Sequence, residues 1–358
     1  MQFLDLAREN IDWQKAIAPV FEKHSFINGP AVKEFESSIA EYIGCKYAIG
    51  VSSGTDALLV SLMALGVGPG SVVLTTPYTF IATTEVAFRL GAQVKFCDVD
   101  ESFNIDINEC TKFIINNKVD VFIPVHLFGL PCNLDSSFLA LCREHKVKIV
   151  EDAAQAMGSR SYNTHVGNIG ELGCFSFFPA KNLGCAGDGG LITTNSEELY
   201  QKCLTLRNHG GKDKYDVQMH GGNFRLDTVQ AALLSAKLPH LDQWIETRMN
   251  NAAMYNEMLE DIVETPICPI GMKHSYNQYV IKTAKRDDLQ RYLNGKGIPT
   301  AIYYPKPLNK QSCYASVDFQ CRPIKSELFA SINLALPIGH LYPEEVKLVG
   351  NSIKEFFA

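Results

Sequence analysis

Tyr47–Leu65, which reads YAIGVSSGTDALLVSLMAL, decides the fold. Its first part, Tyr47–Ser53, is a short apolar run of the kind that forms a strand. Its second part, Thr55–Leu65, places Leu58, Leu62 and Leu65 three and four residues apart, the spacing of one helix face. The polar turn Ser53-Gly54-Thr55-Asp56 joins them. Such a turn leaves the first N–H groups of the helix unpaired at the positive end of its dipole, so it suits a phosphate, and Gly54 lets the backbone come close to one. The same turn also fits an ordinary cap, with Ser53 or Thr55 as the capping residue. On this stretch alone both readings stand.

Outward from it, strand-like and helix-like segments alternate. Val72–Thr75 reads as a strand, Thr83–Leu90 as a helix and Gln93–Asp98 as a short strand. Val119–Val125 and Val147–Val150 are continuous apolar runs, as strands covered on both faces require. Cys174–Phe178 and Gly190–Thr193 read as further strands. Past Phe224 the character changes. Leu226–Met258 predicts a long helix broken near Pro239. Tyr279–Lys282 reads as a strand, Asp287–Lys296 as a helix and Pro343–Phe357 as a terminal helix. The pattern predicts an α/β protein. A large domain over 1–238 carries a mostly parallel mixed sheet, and a smaller C-terminal α+β domain over 239–358 includes the connecting helix.

The 358 residues, 46% of them hydrophobic and 20% charged, suffice for full cores. A formal net charge of −6 and the lack of a basic stripe argue against nucleic acid as a partner. No apolar run nears the ~18 residues that span a bilayer, so no membrane role is expected. Met1–Glu22 lacks the apolar stretch of a signal peptide, and a cytoplasmic protein is expected. The 11 cysteines, an odd number with no C-x-x-C pair, are expected to be buried, reduced thiols.

Two further constellations carry chemistry. In Glu151-Asp152-Ala153-Ala154-Gln155, Asp152 ends a buried strand on the side where open α/β sheets bind ligands. A carboxylate there needs a cation or a helix to cap. In Ser176-Phe177-Phe178-Pro179-Ala180-Lys181-Asn182, followed by Gly187-Asp188-Gly189-Gly190, Lys181 lies in an apolar, glycine-rich setting. Such a lysine can lose its proton and form a Schiff base, although a lysine in a surface turn looks the same locally. Taken together, a phosphate cradle, a strand-end aspartate and this lysine meet the needs of a pyridoxal-phosphate aminotransferase. Asp152 would hold the ring nitrogen protonated and Lys181 would move protons. Phe80, within Thr79-Phe80-Ile81-Ala82-Thr83, is placed at a strand end to stack on the ring. Gly66-Val67-Gly68-Pro69-Gly70 is a helix stop and turn rather than a dinucleotide fingerprint. No histidine or cysteine spacing fits a metal site.

These motifs resemble the sugar-nucleotide aminotransferases of the DegT/StrS type, nearly end to end, from Phe3-Leu4-Asp5-Leu6 to the last helix. Asn28-Gly29-Pro30 and Asn223-Phe224-Arg225-Leu226-Asp227 add to the match. The resemblance implies a fold-type-I pyridoxal-phosphate transferase, similar to aspartate aminotransferase. It implies Lys181 as the catalytic lysine, and Asp152 and Gln155 as partners of the cofactor ring. Gly54, Thr55 and Ser176 become phosphate ligands, and Phe80 the stacking aromatic. Asn223 becomes a phosphate ligand given by the neighbouring subunit, hence a homodimer with shared active sites. Arg225, Tyr303 and Asn309 fall on the substrate side. His126 matches a family motif and fits a site-shaping or a structural role equally.

Relatives that dehydrate sugars at C3 carry histidine at the lysine position, so Lys181 favours transamination from L-glutamate to a nucleotide-linked ketosugar. Many relatives read H-Y-P-x-P-L-H where this chain reads Tyr303-Tyr304-Pro305-Lys306-Pro307-Leu308-Asn309, without either histidine. Its P-L-N-K-Q ending resembles the branch that aminates a 3-keto UDP-N-acetylglucosaminuronate, for surface polysaccharide. A dehydratase and a non-catalytic regulator are the rival readings.

Overall fold

The computed structural model describes residues 1–211 and 216–358. In chain order the strands are β1 (Tyr47–Val51), β2 (Val72–Thr75), β3 (Gln93–Phe96), β4 (Val121–Phe122), β5 (Lys148–Asp152), β6 (Arg160–Ser161), β7 (Thr164–His165), β8 (Leu172–Ser176), β9 (Gly190–Thr194), β10 (Met272–Lys273), β11 (Tyr279–Lys282) and β12 (Asn333–Leu336). Seven of them form one sheet in the order β1-β9-β8-β5-β4-β2-β3. β9 runs antiparallel to both neighbours. The other adjacent pairs are parallel. The carboxyl ends of β5 and β8 therefore open on the same edge.

Strand alternation builds a core on each face. Ile49, Val51, Val150, Cys174 and Ile192 point to one side, beneath the helix Gly54–Ala64. Ala48, Phe175 and Leu191 point to the other, beneath the helices Pro30–Ile43 and Thr228–Lys237. Burial on both faces explains why these strands read as continuous apolar runs.

The first strand–turn–helix forms as expected. Ser53 is its N-cap, with Oγ accepting the Asp56 N–H at 3.0 Å. Gly54 is also required sterically, because a Cβ there would lie 2.8 Å from Ser176 Cβ. Val119–Val125 pairs less than expected. Only Val121–Phe122 is continuous strand, and an isolated bridge joins Val125 to Asp152. Pro124 interrupts it, having no N–H to give, and only its carbonyl serves, accepting from Asp152 N–H at 2.9 Å.

The long helix breaks at Pro239, where a 3₁₀ turn (Leu238–His240) separates Thr228–Lys237 from Leu241–Leu259. Leu241 and Ile245 pack in a core of the large sheet. Ala252, Tyr255 and Leu259 pack with β11, β12 and the terminal helix Pro343–Phe357. All 11 cysteines are free. The expectation that they are buried fails at Cys268 and Cys313, which are exposed, and is met only in part at Cys45 and Cys321, which are half-buried. Cys268 and Cys313 lie beyond the large sheet, in surface segments. No helix among the described residues is long and apolar enough to cross a membrane.

Candidate active site

A cleft of about 610 Å³ lies at the carboxyl ends of β5 and β8. Gly54, Thr55, Phe80, Asp152, Gln155, Ser176, Lys181 and Tyr303, all singled out from the sequence, line it. Three separate parts of the chain, residues 54–80, 152–181 and 303, thus meet in one space. Asn223, Arg225 and Asn309 are not among its lining residues. Asn223 is exposed on the bridge to Asn208. Arg225 bridges Val51 and keeps a buried Nε without a partner. Asn309 lies in the short turn Leu308–Lys310, its Nδ2 3.4 Å from Glu327.

Asp152 closes the floor. It is 5% exposed, and Oδ2 accepts from Thr83 Oγ1 at 2.8 Å while Oδ1 accepts from Ala154 N–H at 3.2 Å. Thr79 Oγ1 backs Thr83 at 2.9 Å. Burial raises the Asp152 pKa above its ordinary value, and the Thr83 and Ala154 donors and the Lys181 charge only partly offset it. The carboxylate is short of positive charge.

Lys181 follows the tight turn Phe178–Lys181, where its N–H donates to Phe178 O at 2.8 Å. Burial lowers its ammonium pKa from 10.5 to about 8, against the pull of Asp152. An amine so placed is partly neutral near neutrality, as a nucleophile and proton carrier needs. Gln155 Oε1 accepts from Phe128 N–H at 2.7 Å, and its Nε2 lies 3.4 Å from Tyr304 OH. Phe80 lies beyond the strand end at which the sequence placed it, in the loop from β2 to the helix Ala82–Arg89. It is 59% exposed, an aromatic face open to the cleft.

His126 is structural. It is fully buried, Nδ1 accepts the Cys132 N–H at 2.9 Å, and Nε2 meets Glu151 Oε2 at 3.0 Å. Sequence reasoning missed Thr83 as the aspartate's partner, and it missed Asp188, Asn277, Gln278, Ile302 and Tyr304 in the lining. The pair Thr79/Thr83, four residues apart beside a helix start, was the available signal for the first. Among the described residues no cluster of histidine, cysteine or carboxylate could hold a metal.

The donor set fits pyridoxal phosphate. Asp152 lacks the cation that a pyridinium nitrogen supplies, and a capped helix start at a mandatory glycine faces the same cleft as the lysine. Comparison agrees. The sequence profile of the DegT/DnrJ/EryC1/StrS aminotransferase family matches residues 8–354, and the chain belongs to that family. It is similar to the pleiotropic regulatory protein of Geobacillus stearothermophilus, 41% identical over 96% of this chain and 94% of that one. It is also similar to the UDP-2-acetamido-2-deoxy-3-oxo-D-glucuronate aminotransferase of Pseudomonas aeruginosa, 37% identical over 88% and 89%. A crystal structure of a family member from Brucella abortus superposes with a TM-score of 0.96 at 37% identity, covering 100% of both chains. The protein is an aminotransferase of the fold-type-I class, dependent on pyridoxal phosphate.

Proposed function

We propose that the enzyme moves the amino group of L-glutamate to a keto carbon, C3 by preference, of a nucleotide-linked sugar, with a UDP-linked 2-acetamido-3-keto-glucuronate as the leading candidate. The observation that carries this reading is the convergence of Lys181, Asp152 and the Gly54 helix start in one cleft. The 3-oxo-sugar aminotransferase among its relatives supports the substrate class.

The cofactor supplies an electron-withdrawing ring that takes up the electrons of a breaking Cα–H bond. The Gly54 and Thr55 N–H groups and Ser176 Oγ would hold its phosphate, Asp152, aimed by Thr83, would keep the ring nitrogen protonated, and Gln155 and Phe80 would bind the ring. Lys181 Nζ takes the proton from the substrate carbon and returns it. Tyr303 contacts the sugar nucleotide from within the cleft, and Arg225 and Asn309 stand on the substrate side outside it. The guanidinium of Arg225 suits a uronate or diphosphate by two parallel hydrogen bonds. Asn223, outside the cleft of its own chain, serves as a phosphate ligand of the neighbouring subunit in a homodimer with shared sites. The chain divides into 1–238 and 239–358 at the Pro239 break and works in the cytoplasm, for surface polysaccharide such as lipopolysaccharide.

Absorbance of the purified protein with pyridoxal phosphate, before and after L-glutamate, tests the reading. The visible cofactor band falls as an ultraviolet band rises, and Lys181→Ala abolishes the change. Product mass then separates transamination, which keeps the sugar skeleton and gains nitrogen, from dehydration. A cofactor band that glutamate leaves unchanged refutes the proposed donor.

A further inference from the structure

Asn277 comes from the segment just before β11, far in sequence from Lys181, yet it lines the same cleft. Its side chain is 3% exposed. Nδ2 donates to Ala180 O at 3.3 Å and to Asn182 Oδ1 at 3.2 Å, gripping the residues on either side of Lys181. Asn182, also buried, passes the grip on, with Nδ2 donating to Ser275 O at 3.1 Å and reaching Met157 O at 3.4 Å. The segment is itself fixed, since Ser275 N–H donates to Gly129 O at 3.0 Å and Ser275 Oγ accepts from Ser159 Oγ at 2.8 Å.

We propose that Asn277 is a positioning residue for the transamination, holding the Lys181 loop through Ala180 and Asn182 so that the lysine amine keeps its half-buried setting and its aim at the reacting carbon. The inference rests on the function proposed above. The bonds explain why an amide is needed. One nitrogen must donate to two acceptors at once, and a carboxylate of the same shape has no hydrogen to give. A loop released at both neighbours of Lys181 lets the amine shift and admits water. A misplacement of about 1 Å costs roughly 10²-fold in rate. Among the described residues, the titratable groups sharing the cleft with Lys181 are Asp152, Asp188, Tyr303 and Tyr304. None of them contacts Asn277 by a hydrogen bond, so the substitution reaches Lys181 through the loop.

The test uses full-length protein and two readouts. The first is the pH dependence of the rate at which cofactor-free protein captures added pyridoxal phosphate. There the neutral lysine amine forms a C=N bond and water leaves. The wild-type midpoint lies near pH 8, the value burial gives Lys181. Asn277→Ala moves it upward, toward the ordinary 10.5. The second is the half-reaction with L-glutamate, whose maximal rate falls about 10- to 100-fold while half-saturation moves by less than about threefold. A purely architectural asparagine would lower stability and leave the midpoint in place, and a wild-type midpoint in Asn277→Ala overturns the proposal. If that variant does not fold, Asn277→Ser, a smaller neutral side chain whose single hydroxyl hydrogen cannot serve both acceptors, carries the test, and an unmoved midpoint there overturns the proposal equally. A wild-type protein that captures no pyridoxal phosphate refutes the proposed function and this inference with it. Wild-type capture with unaffected variants refutes the inference alone.

Discussion

Glu151 and Asp152 are neighbours on β5, both buried, both carboxylates, and the fold uses them in opposite ways. Alternation sends Glu151 to one face and Asp152 to the other. Glu151 meets a full ring of donors, namely Gly167 N–H at 2.7 Å, Ile169 N–H at 2.7 Å, Gly170 N–H at 2.8 Å and His126 Nε2 at 3.0 Å. Burial pushes its pKa up, but His126 and these N–H groups outweigh it and hold it below 4.5. Among the described residues Asp152 accepts hydrogen bonds only from Thr83 and Ala154, and its pKa stays raised. A satisfied buried carboxylate is architecture, whereas an under-satisfied one facing a cleft is waiting for a cation.

The sharpest way to break this contrast is to neutralise each carboxylate in place. Asp152→Asn should cost about 10³-fold or more in turnover, because the ring loses its anionic partner, while urea unfolding of the cofactor-free protein stays within about 1 kcal/mol of wild type. A turnover loss below tenfold would remove Asp152 from the chemistry. Glu151→Gln should do the reverse. It leaves His126 and one or more N–H groups unmatched, at a cost of about 3 kcal/mol in urea unfolding, with turnover of the folded fraction largely kept.

The pH dependence of stability sharpens the same contrast. Glu151 has a folded pKa below its unfolded 4.5, so its contribution is present above 4.5 and is lost as the pH falls through the lower folded value. Asp152 has a folded pKa above its unfolded 3.8. Its relative contribution is present below 3.8 and is lost as the pH rises through the raised value. Acid unfolding should therefore shift upward in Glu151→Gln and change in the opposite sense in Asp152→Asn. The smallest effect is expected from Thr83→Val, which keeps the shape and removes the 2.8 Å bond to Asp152. Turnover should fall about tenfold, with a cofactor dissociation constant that rises by a similar factor.

Most of the site was legible because local chemistry marks it. A glycine at a strand-to-helix turn, an aspartate closing a buried strand and a lysine among aromatics and glycines each depend on a few adjacent residues. What stayed hidden depends on partners distant in sequence. Gly54 reads as a phosphate residue, but that it must also clear Ser176 Cβ is set by the packing of the helix on β8. Phe80 reads as a strand-end aromatic, yet it stands in a loop, because β2 stops at Thr75. Asn277 has no local mark at all. Its meaning comes from Ala180 and Asn182, about a hundred residues away.

The sequence by itself determined the alternation of strands and helices and the break at Pro239, since periodicity and backbone restrictions act over a few residues, and it singled out Lys181 and Asp152 as candidates by their neighbours in the chain. Only the tertiary structure decided which of two adjacent carboxylates faces the cleft with too few donors. Hydrogen-bond satisfaction and burial are sums over everything within a few ångströms, and those neighbours are assembled by folding.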